Sequence, residues 1–285
     1  MLTRIISGAI GAAILIIILL LPPYALALTV LAASIIAFYE YSKAMKEKNI
    51  LIDLPAGIIA SVLIICKAYA ATLNPEQYPQ ISHLMSRIFT GKYSGLLIYL
   101  LVGYLFFRFI FNKSGRSLED NTYTLFGIAY IPFLLSFIIK TRNLDEGLKY
   151  IWIILIGSFI TDIFAYFVGV AIGKNKIIPH ISPKKTVEGS VGGAIGCMVF
   201  MVLYGAIIVN REGANLIPVY HFAILGLLCG VLAQIGDWAA SSIKRYTGIK
   251  DFGNLIPGHG GIMDRVDSIL FVAPLVYFYI NQFIA

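Results

Sequence analysis

Long apolar runs constrain this chain more than any other feature of its sequence. A helix that crosses a bilayer needs about 20 mostly apolar residues, and the chain carries about nine such runs separated by polar breaks. They lie near residues 5–21, 24–42, 55–73, 94–111, 123–139, 150–172, 190–209, 219–240 and 266–284. Only 13% of the residues are charged, against roughly 25% in a soluble domain. The sequence therefore predicts an all-α integral membrane protein, a polytopic bundle of about nine transmembrane helices.

The first two runs are separated only by Leu21-Pro22-Pro23, which predicts a tight turn between two helices. The first run has a second interpretation as a secretory signal, because Ala25-Leu26-Ala27 resembles a small-residue cleavage site. Against it, Arg4 is the sole basic residue before the run, and the apolar pattern resumes at once. Retention of the first run as a span is therefore favoured.

The basic residues are distributed unevenly between alternate loops. The net charge is +7, and basic residues that flank spans explain it without a nucleic-acid partner. Of the 22 Lys and Arg residues, 15 fall in the loops on the side of the N-terminus and 7 in the others. The positive-inside rule then places the N-terminus and the loops near residues 180 and 250 in the cytoplasm. With nine spans the C-terminus lies outside a cell membrane that the chain crosses many times.

The two halves of the chain differ in where their acidic residues lie. Before about residue 150 these residues occupy loops or the ends of runs, whereas after it they stand beside glycines, lysines and run interiors. We expect residues 1–149 to form a scaffold of transmembrane helices. Residues 150–285 are expected to form a catalytic transmembrane region with its site at the cytoplasmic face.

The last cytoplasmic segment, residues 236–268, concentrates chemically active side chains. Asp237 ends an apolar run, and an ionisable residue at that depth is costly and marks a functional candidate. If the helix continues past it, Ser241 and Lys244 lie four and seven residues further along the same face. One stripe of the helix would then present a carboxylate, a hydroxyl and an ammonium group.

The sequence Gly258-His259-Gly260-Gly261 follows and leads into the last apolar run, whose helix should begin near Asp264. A glycine turn at a helix N-terminus offers free N–H groups and the positive end of the helix dipole, which favour phosphate. Asp264 and Asp267 are three residues apart and point to one side of the first helical turn.

Carboxylates beside a cluster of basic residues suit a divalent cation held together with phosphates. Mg²⁺ takes one or two protein carboxylates and completes its shell with substrate oxygens. The alternative is a juxtamembrane loop whose acids and bases merely pair. We favour the functional interpretation, because such loops seldom combine an Asp at the membrane boundary with a glycine turn and two carboxylates one turn apart.

An earlier segment, residues 157–193, repeats this chemistry. Asp162 lies well inside an apolar span, where a charge costs roughly 2.5–3.5 kcal/mol, so we expect it to face the bundle interior. Ser182, Lys184 and Lys185 follow in a polar loop and are suitable donors to phosphate. Taken alone, the two lysines could equally be an ordinary cytoplasmic anchor.

These residues resemble the signature of a known family, the phosphatidate cytidylyltransferases or CDP-diglyceride synthetases. The resemblance rests on fixed spacings over residues 241–267, including Pro257-x-His259-Gly260-Gly261-x₂-Asp264-Arg265-x-Asp267, and on Ile181-Ser182-Pro183-Lys184-Lys185-Thr186-x-Glu188-Gly189. It implies a reaction in which CTP and phosphatidate from the bilayer give CDP-diacylglycerol and pyrophosphate with Mg²⁺. A second cation and a homodimer are options that the sequence leaves open.

The resemblance also implies roles for individual side chains. Asp237, Asp264 and Asp267 are the expected metal ligands. The residues expected to bind the triphosphate or the leaving pyrophosphate are Lys244, Arg245, Lys250, His259 and Arg265. Those expected to line the nucleotide or lipid-phosphate side are Asp162, Ser182, Lys184, Lys185, Ser241, Gly260 and Gly261.

Two alternatives stand beside this function. A CTP-dependent lipid kinase would transfer the γ-phosphoryl group to a lipid alcohol and release CDP instead of pyrophosphate. An ion-coupled transporter would use Asp162 and Asp237 as sites within the membrane, but transporters often pair broken helices in two similar halves. The plain first half of this chain argues against the transporter.

Overall fold

The computed structural model describes residues 2–71, 79–89, 93–111, 117–211, 216–256 and 258–284. Pro257 of the signature and residues 72 and 73 of the third apolar run lie outside these ranges. The described chain is helical, and its two isolated β-bridges, Lys176 with Thr186 and Ile256 with Gly260, belong to no strand. The predicted all-α class is confirmed for a multi-pass membrane protein.

The helices follow the apolar runs closely. They are α1 (Leu2–Leu20), α2 (Pro23–Lys46), α3 (Leu54–Ala70), α4 (Pro79–Phe89), α5 (Tyr93–Phe111), α6 (Leu118–Ile128), α7 (Leu134–Arg142), α8 (Gly147–Ile172), α9 (Val187–Ile207), α10 (Val219–Thr247) and α11 (Met263–Phe283). A π-helical turn at Ala129–Phe133 joins α6 to α7 around Pro132, which has no N–H to donate. The break between α1 and α2 falls at the predicted prolines.

Six described helices are long and apolar enough to cross a membrane. They are Pro23–Lys46, Leu118–Arg142, Gly147–Ile172, Val187–Arg211, Val219–Thr247 and Met263–Phe283. Three shorter apolar helices lie at Ile6–Leu20, Leu54–Ala70 and Gly95–Phe111. Each predicted run coincides with one of these segments, while the number of helices that cross the bilayer stays a prediction. No apolar run predicted α4.

The chain divides into two compact units. The first comprises residues 1–140 and 247–265, and the second comprises residues 141–246 and 266–285. The signature segment is therefore shared between the two units. The chain passes from the second unit to the first at the end of α10, and returns to the second unit within the first turn of α11. The predicted separation into a scaffold over residues 1–149 and a catalytic region over residues 150–285 is functional and stays a prediction.

In the first unit, α2 and α3 pack through small residues. A side chain at Gly57 would overlap the ring of Phe38, and Ser34 Oγ donates a hydrogen bond of 3.2 Å to Ser61 Oγ. Asp53 is fully buried and caps α3 by accepting from Ala56 N at 3.1 Å. Arg108 Nε lies 3.7 Å from the Asp53 carboxylate, so this arginine compensates a buried acid. These contacts pack α2 against α3 and attach the last turn of α5 to the start of α3.

In the second unit, α8 and α9 form a close antiparallel hairpin. Glycines on α9 permit the approach, because a Cβ atom at Gly189 would lie 2.7 Å from the carbonyl oxygen of Ala165. A Cβ atom at Gly193 would lie 2.9 Å from that of Thr161. Polar loop 173–186 joins these two helices, so their packing fixes both of its ends.

Candidate active site

The loop between α8 and α9 has a defined conformation. Glu188, in the first turn of α9, accepts hydrogen bonds from the backbone N–H groups of Lys174 at 3.1 Å and Asn175 at 3.2 Å. Thr186 caps α9 by accepting from Gly189 N at 3.2 Å. Ile177 N donates to the carbonyl oxygen of Lys185 at 3.2 Å. The backbone that carries Lys185 is therefore held from both ends of the loop.

The Lys185 ammonium group is the centre of the charged cluster in the second unit. It forms an ion pair with Asp237 of α10 and lies 6.0 Å from the centre of the Trp238 ring. Asp162 of α8 and Asp267 of α11 both act electrostatically on it. Three carboxylates from three helices thus act on one cation supplied by the loop.

Burial lowers the pKa of Lys185 from 10.5 to about 8. The negative charges of Asp162 and Asp267 oppose this lowering, whereas the positive charge of Lys244 adds to it. At neutral pH the side chain therefore still carries its proton. A partly desolvated ammonium group of this kind interacts strongly with phosphate oxygens.

Helix α10 continues without interruption to Thr247. The predicted stripe of Asp237, Ser241 and Lys244 required that the helix continue past Asp237, and this requirement is met. Asp237, Ser241 and Lys244 are each half-buried and follow one another at helical spacing. Arg245 is exposed and donates from Nε to the carbonyl oxygen of Ile181 at 3.0 Å. This bond attaches the end of α10 to the loop that carries Lys185.

The backbones of α10 and α11 approach closely beside the cluster. A Cβ atom at Gly236 would lie 2.5 Å from the carbonyl oxygen of Asp267 and 3.1 Å from Ser268 Cα. Asp237 follows this glycine directly, so the close approach brings the start of its stripe against the turn that carries Asp267. Asp267 Oδ1 also accepts from Ser268 N at 2.8 Å.

The first unit holds the glycine turn and the start of α11. Asp264 is 7% exposed, and its Oδ2 atom accepts hydrogen bonds from Phe252 N at 2.8 Å and Gly261 N at 3.1 Å. Gly260 has a φ of +83°, a left-handed conformation that favours glycine. The turn therefore folds back onto the Asp264 carboxylate.

The prediction that the N–H groups at the start of α11 are free to bind phosphate is wrong for three of them. Gly261 N donates to Asp264, while Ile262 N and Met263 N donate to the carboxylate of Glu40 at 3.1 and 2.8 Å. A helix N-terminus binds whichever anion is nearest. Here that anion is a side chain of α2.

The remaining predicted residues of the first unit differ in exposure. His259 is half-buried, and its Nδ1 atom lies 2.9 Å from Ser7 Oγ of α1. Lys250 and Arg265 are exposed, as expected of side chains that meet a soluble ligand. Gly8 of α1 lies beside the same imidazole ring, because a Cβ atom added there would be 3.5 Å from His259 Cε1.

Asp162 differs from its prediction. We expected it to face the bundle interior, but its side chain is exposed. Its charge nevertheless acts on Lys185. An exposed carboxylate inside an apolar helix is costly unless polar groups or water surround it, so Asp162 stays a functional candidate.

The structure groups nine predicted site residues in the second unit and six in the first. The second unit contains Asp162, Ser182, Lys184, Lys185, Asp237, Ser241, Lys244, Arg245 and Asp267. The first contains Lys250, His259, Gly260, Gly261, Asp264 and Arg265. Among the described residues, no three His, Cys, Asp or Glu side chains are arranged to hold a metal ion. The assigned roles of all fifteen stay predictions.

Sequence reasoning missed two residues of the first half that contact the signature turn. Glu40 is 5% exposed in α2, and Ser7 lies in α1. A signal for Glu40 was present, because a carboxylate at the end of the apolar run at residues 24–42 marks a candidate by the same argument that selects Asp237. Ser7 gives no such signal, since serines are common in transmembrane helices.

Comparisons with known proteins cover nearly the whole chain. The profile described as the cytidylyltransferase family matches residues 2–283. A phosphatidate cytidylyltransferase of Bacillus subtilis is 32% identical over 98% of this chain and 97% of its own length. One of Thermotoga maritima is 30% identical over 78% of this chain and 85% of its own. One of Staphylococcus saprophyticus is 38% identical over 61% and 64%.

Proposed function

Because this chain belongs to the cytidylyltransferase family, we propose that it transfers the cytidylyl group of CTP to phosphatidate, giving CDP-diacylglycerol and pyrophosphate for phospholipid synthesis. The observation that carries the proposal is the cluster of Asp162, Asp237 and Asp267 around Lys185. This cluster combines both signs of charge, with its carboxylates on apolar helices and its lysine on the loop between α8 and α9. A reaction between a lipid phosphate and a nucleoside triphosphate requires both, because carboxylates hold a metal ion and basic side chains bind the phosphates.

The chemistry follows from the charges of the substrates. An oxygen of the lipid phosphate attacks the α-phosphorus of CTP, forming a new P–O bond as the bond to the β-phosphate breaks and pyrophosphate leaves. The attacking oxygen is already anionic at neutral pH, so no strong general base is needed. The main barrier is repulsion between four phosphoryl groups, which fixed cations lower.

Basic side chains of the chain supply part of this compensation. Lys185 is held over the carboxylate cluster, with Lys184 beside it in a loop of fixed backbone. Lys244 follows Asp237 along α10. We assign Lys244, Arg245, Lys250, His259 and Arg265 to the triphosphate and the leaving pyrophosphate. Lys184 and Lys185 are assigned to the nucleotide or lipid-phosphate side. Ser182, in the loop that carries Lys185, and Ser241, between Asp237 and Lys244 on α10, offer hydroxyl groups that can donate to phosphate oxygens.

The carboxylates of the second unit fit a hard divalent cation by their chemistry. Asp237 forms an ion pair with Lys185, and Asp267 acts electrostatically on the same ammonium group. Carboxylate oxygens are the ligands that Mg²⁺ prefers. We propose that they hold Mg²⁺, which would neutralise charge developing on the phosphates. Asp264 stays the third predicted ligand on the basis of its helical spacing from Asp267. A second cation also stays a prediction.

The location of the site is part of the proposal. The excess of Lys and Arg in the loops near residues 180 and 250 supports a site at the cytoplasmic face of the cell membrane. There the enzyme meets CTP from the cytosol and phosphatidate from the bilayer. A homodimer is left open by the sequence, and light scattering on the detergent-solubilised protein tests it.

The product of the purified protein tests the function. With CTP labelled in its cytosine, phosphatidate and Mg²⁺, we expect label in a lipid product together with release of pyrophosphate. Release of CDP with phosphorylation of a lipid alcohol would instead identify the lipid kinase. Ion flux in liposomes without turnover of CTP would identify the transporter. Omission of Mg²⁺ should stop the reaction.

The same assay tests the carboxylates. Asp264→Asn keeps the size of the side chain and an oxygen that can accept from the turn, but it removes the charge. We expect it to abolish nearly all activity. Asp145→Asn, at an exposed position outside the signature, is the matched control and should be fully active. Full activity of Asp264→Asn would remove Asp264 from the metal ligands.

A further inference from the structure

Glu40 is a buried carboxylate that the proposed reaction does not use. It lies in the last third of α2 and is 5% exposed. Its Oε1 atom accepts a hydrogen bond from Ile262 N at 3.1 Å, and its Oε2 atom accepts one from Met263 N at 2.8 Å. Burial of a charged group is costly unless such bonds compensate it. The two N–H groups at the start of α11 supply that compensation.

Two glycines enclose the same carboxylate. A Cβ atom at Gly253 would overlap Glu40 Oε1, and one at Gly261 would overlap Oε2. Neither glycine has a positive φ, so their backbones do not require glycine for conformational reasons. Close approach of the chain to Glu40 is the reason that these positions lack a side chain.

Glu40 and Asp264 together hold the segment that enters α11. Glu40 binds the N–H groups of Ile262 and Met263, and Asp264 binds those of Phe252 and Gly261. Apart from the single bridge between Ile256 and Gly260, residues 248–262 form no regular element among the described residues. Four hydrogen bonds to two buried carboxylates therefore hold the backbone on either side of the glycine turn and next to Asp264.

We propose that Glu40 is a positioning residue for the cytidylyl transfer, whose carboxylate occupies the anion position at the start of α11 and thereby orients Asp264. This inference rests on the proposed function. It also assigns the triphosphate to other donors, because a phosphate could reach the N–H groups of Ile262 and Met263 only by displacing a buried side chain. Residues that orient the ligands of a site typically contribute 10- to 100-fold to metal affinity or activity.

Two substitutions separate the charge of Glu40 from its length. In Glu40→Gln one of the two oxygens becomes an NH₂ group, which faces a backbone N–H and cannot accept its hydrogen bond. Glu40→Asp keeps the charge but withdraws the carboxylate by one methylene group. We expect each to lower kcat by about 10- to 100-fold, with an unchanged KM for phosphatidate. Glu47→Gln, at the exposed end of α2, is the matched control.

A binding measurement without turnover distinguishes positioning from general support of the fold. Titration of Mn²⁺ into the purified protein, followed by electron paramagnetic resonance, reports the metal site directly. We expect Asp264→Asn, Glu40→Gln and Glu40→Asp to weaken Mn²⁺ binding by at least about tenfold, and Glu47→Gln to leave it unchanged. A lower melting temperature with unchanged Mn²⁺ affinity and kcat would show a purely structural role and overturn the proposal. Full activity of Asp264→Asn would overturn it too.

Gly253→Ala tests the position of the carboxylate without a substitution at Glu40 itself. The added methyl group overlaps the carboxylate and should displace it, so the proposal expects the same weakened Mn²⁺ binding. Gly103→Ala is the control, because a Cβ atom there has no neighbour within 4 Å. Wild-type Mn²⁺ affinity in Gly253→Ala and in a folded Glu40 variant would overturn the proposal. If the wild-type protein forms no CDP-diacylglycerol, the proposed function fails, while these affinities still report whether Glu40 positions Asp264.

Discussion

Three charged residues show how charge is compensated in the described part of this chain. Lys185 contacts Asp237 and is influenced by two further carboxylates, and the buried Asp53 lies beside Arg108. Glu40 is compensated by backbone N–H groups instead of a basic side chain. In a bilayer an uncompensated charge is expensive, so each of these arrangements also determines where its charge is held.

Lys185 provides the residue-scale prediction. Lys185→Met keeps the length of the side chain but removes the ammonium group from the carboxylate cluster. A charge-assisted hydrogen bond contributes about 1.5–3 kcal/mol, so we expect kcat/KM for CTP to fall by roughly 10- to 150-fold. Steady-state kinetics with saturating phosphatidate measures this change.

Lys174→Met is the control for Lys185, because Lys174 is exposed in the same loop and its side chain has no role in the proposed site. Its kinetics should match those of the wild-type protein. Equal losses in the two variants would mean that the loop acts through its overall positive charge, in contradiction to a specific role of Lys185.

At the scale of elements, close helix contacts determine which side chains meet. The α8–α9 hairpin depends on glycines of α9, and the approach of α10 to α11 depends on Gly236. Small residues let transmembrane helices approach until their backbones touch. In the second unit this proximity brings carboxylates from three helices around the loop lysine.

Gly236 provides the prediction at this scale. Gly236→Ala places a methyl group 2.5 Å from the Asp267 carbonyl oxygen, and because both partners are backbone the helices must separate. Overpacking of this kind costs about 1–3 kcal/mol. We expect a lower melting temperature and a lower kcat, since the positions of Asp237 and Asp267 shift together.

The comparison for Gly236 is Gly95→Ala, because a Cβ atom at Gly95 has no neighbour within 4 Å. Thermal unfolding in detergent and the lipid-product assay should both give wild-type values for it. Unchanged stability and activity in Gly236→Ala would contradict the tight approach of α10 to α11.

At the scale of the whole molecule, the number of spans determines on which side each end of the chain lies. Among the described residues, six helices meet the length of a span and three apolar helices are shorter. If all nine cross the bilayer and the N-terminus is cytoplasmic, a reporter fused after residue 285 lies outside. Alkaline phosphatase at that position should then be active and green fluorescent protein dark.

The N-terminal fusion is the control for this topology. Green fluorescent protein placed before residue 1 should fluoresce, because the basic loops on that side hold 15 of the 22 Lys and Arg residues. Fluorescence of the C-terminal fusion would require an even number of spans and would contradict the count of nine.

The sequence by itself determined the solvent, the class of fold and the family. Apolar runs of bilayer length indicate transmembrane helices because the backbone must satisfy its own hydrogen bonds in lipid. The fixed spacings over residues 157–193 and 236–268 predicted the family that the comparisons confirm. The stripe on α10 was also predictable, since Asp237, Ser241 and Lys244 lie on one helix and helical periodicity is local.

Only the tertiary structure decided which charges meet. Lys185 and Asp237 are 52 positions apart in the chain, and Glu40 is separated from Ile262 by 222 positions. No periodicity connects such residues, because their contact depends on how helices pack and not on how one helix turns. The start of α11 shows the consequence. Local pattern predicted an anion at that helix N-terminus, and tertiary packing supplied Glu40 from the first half of the chain.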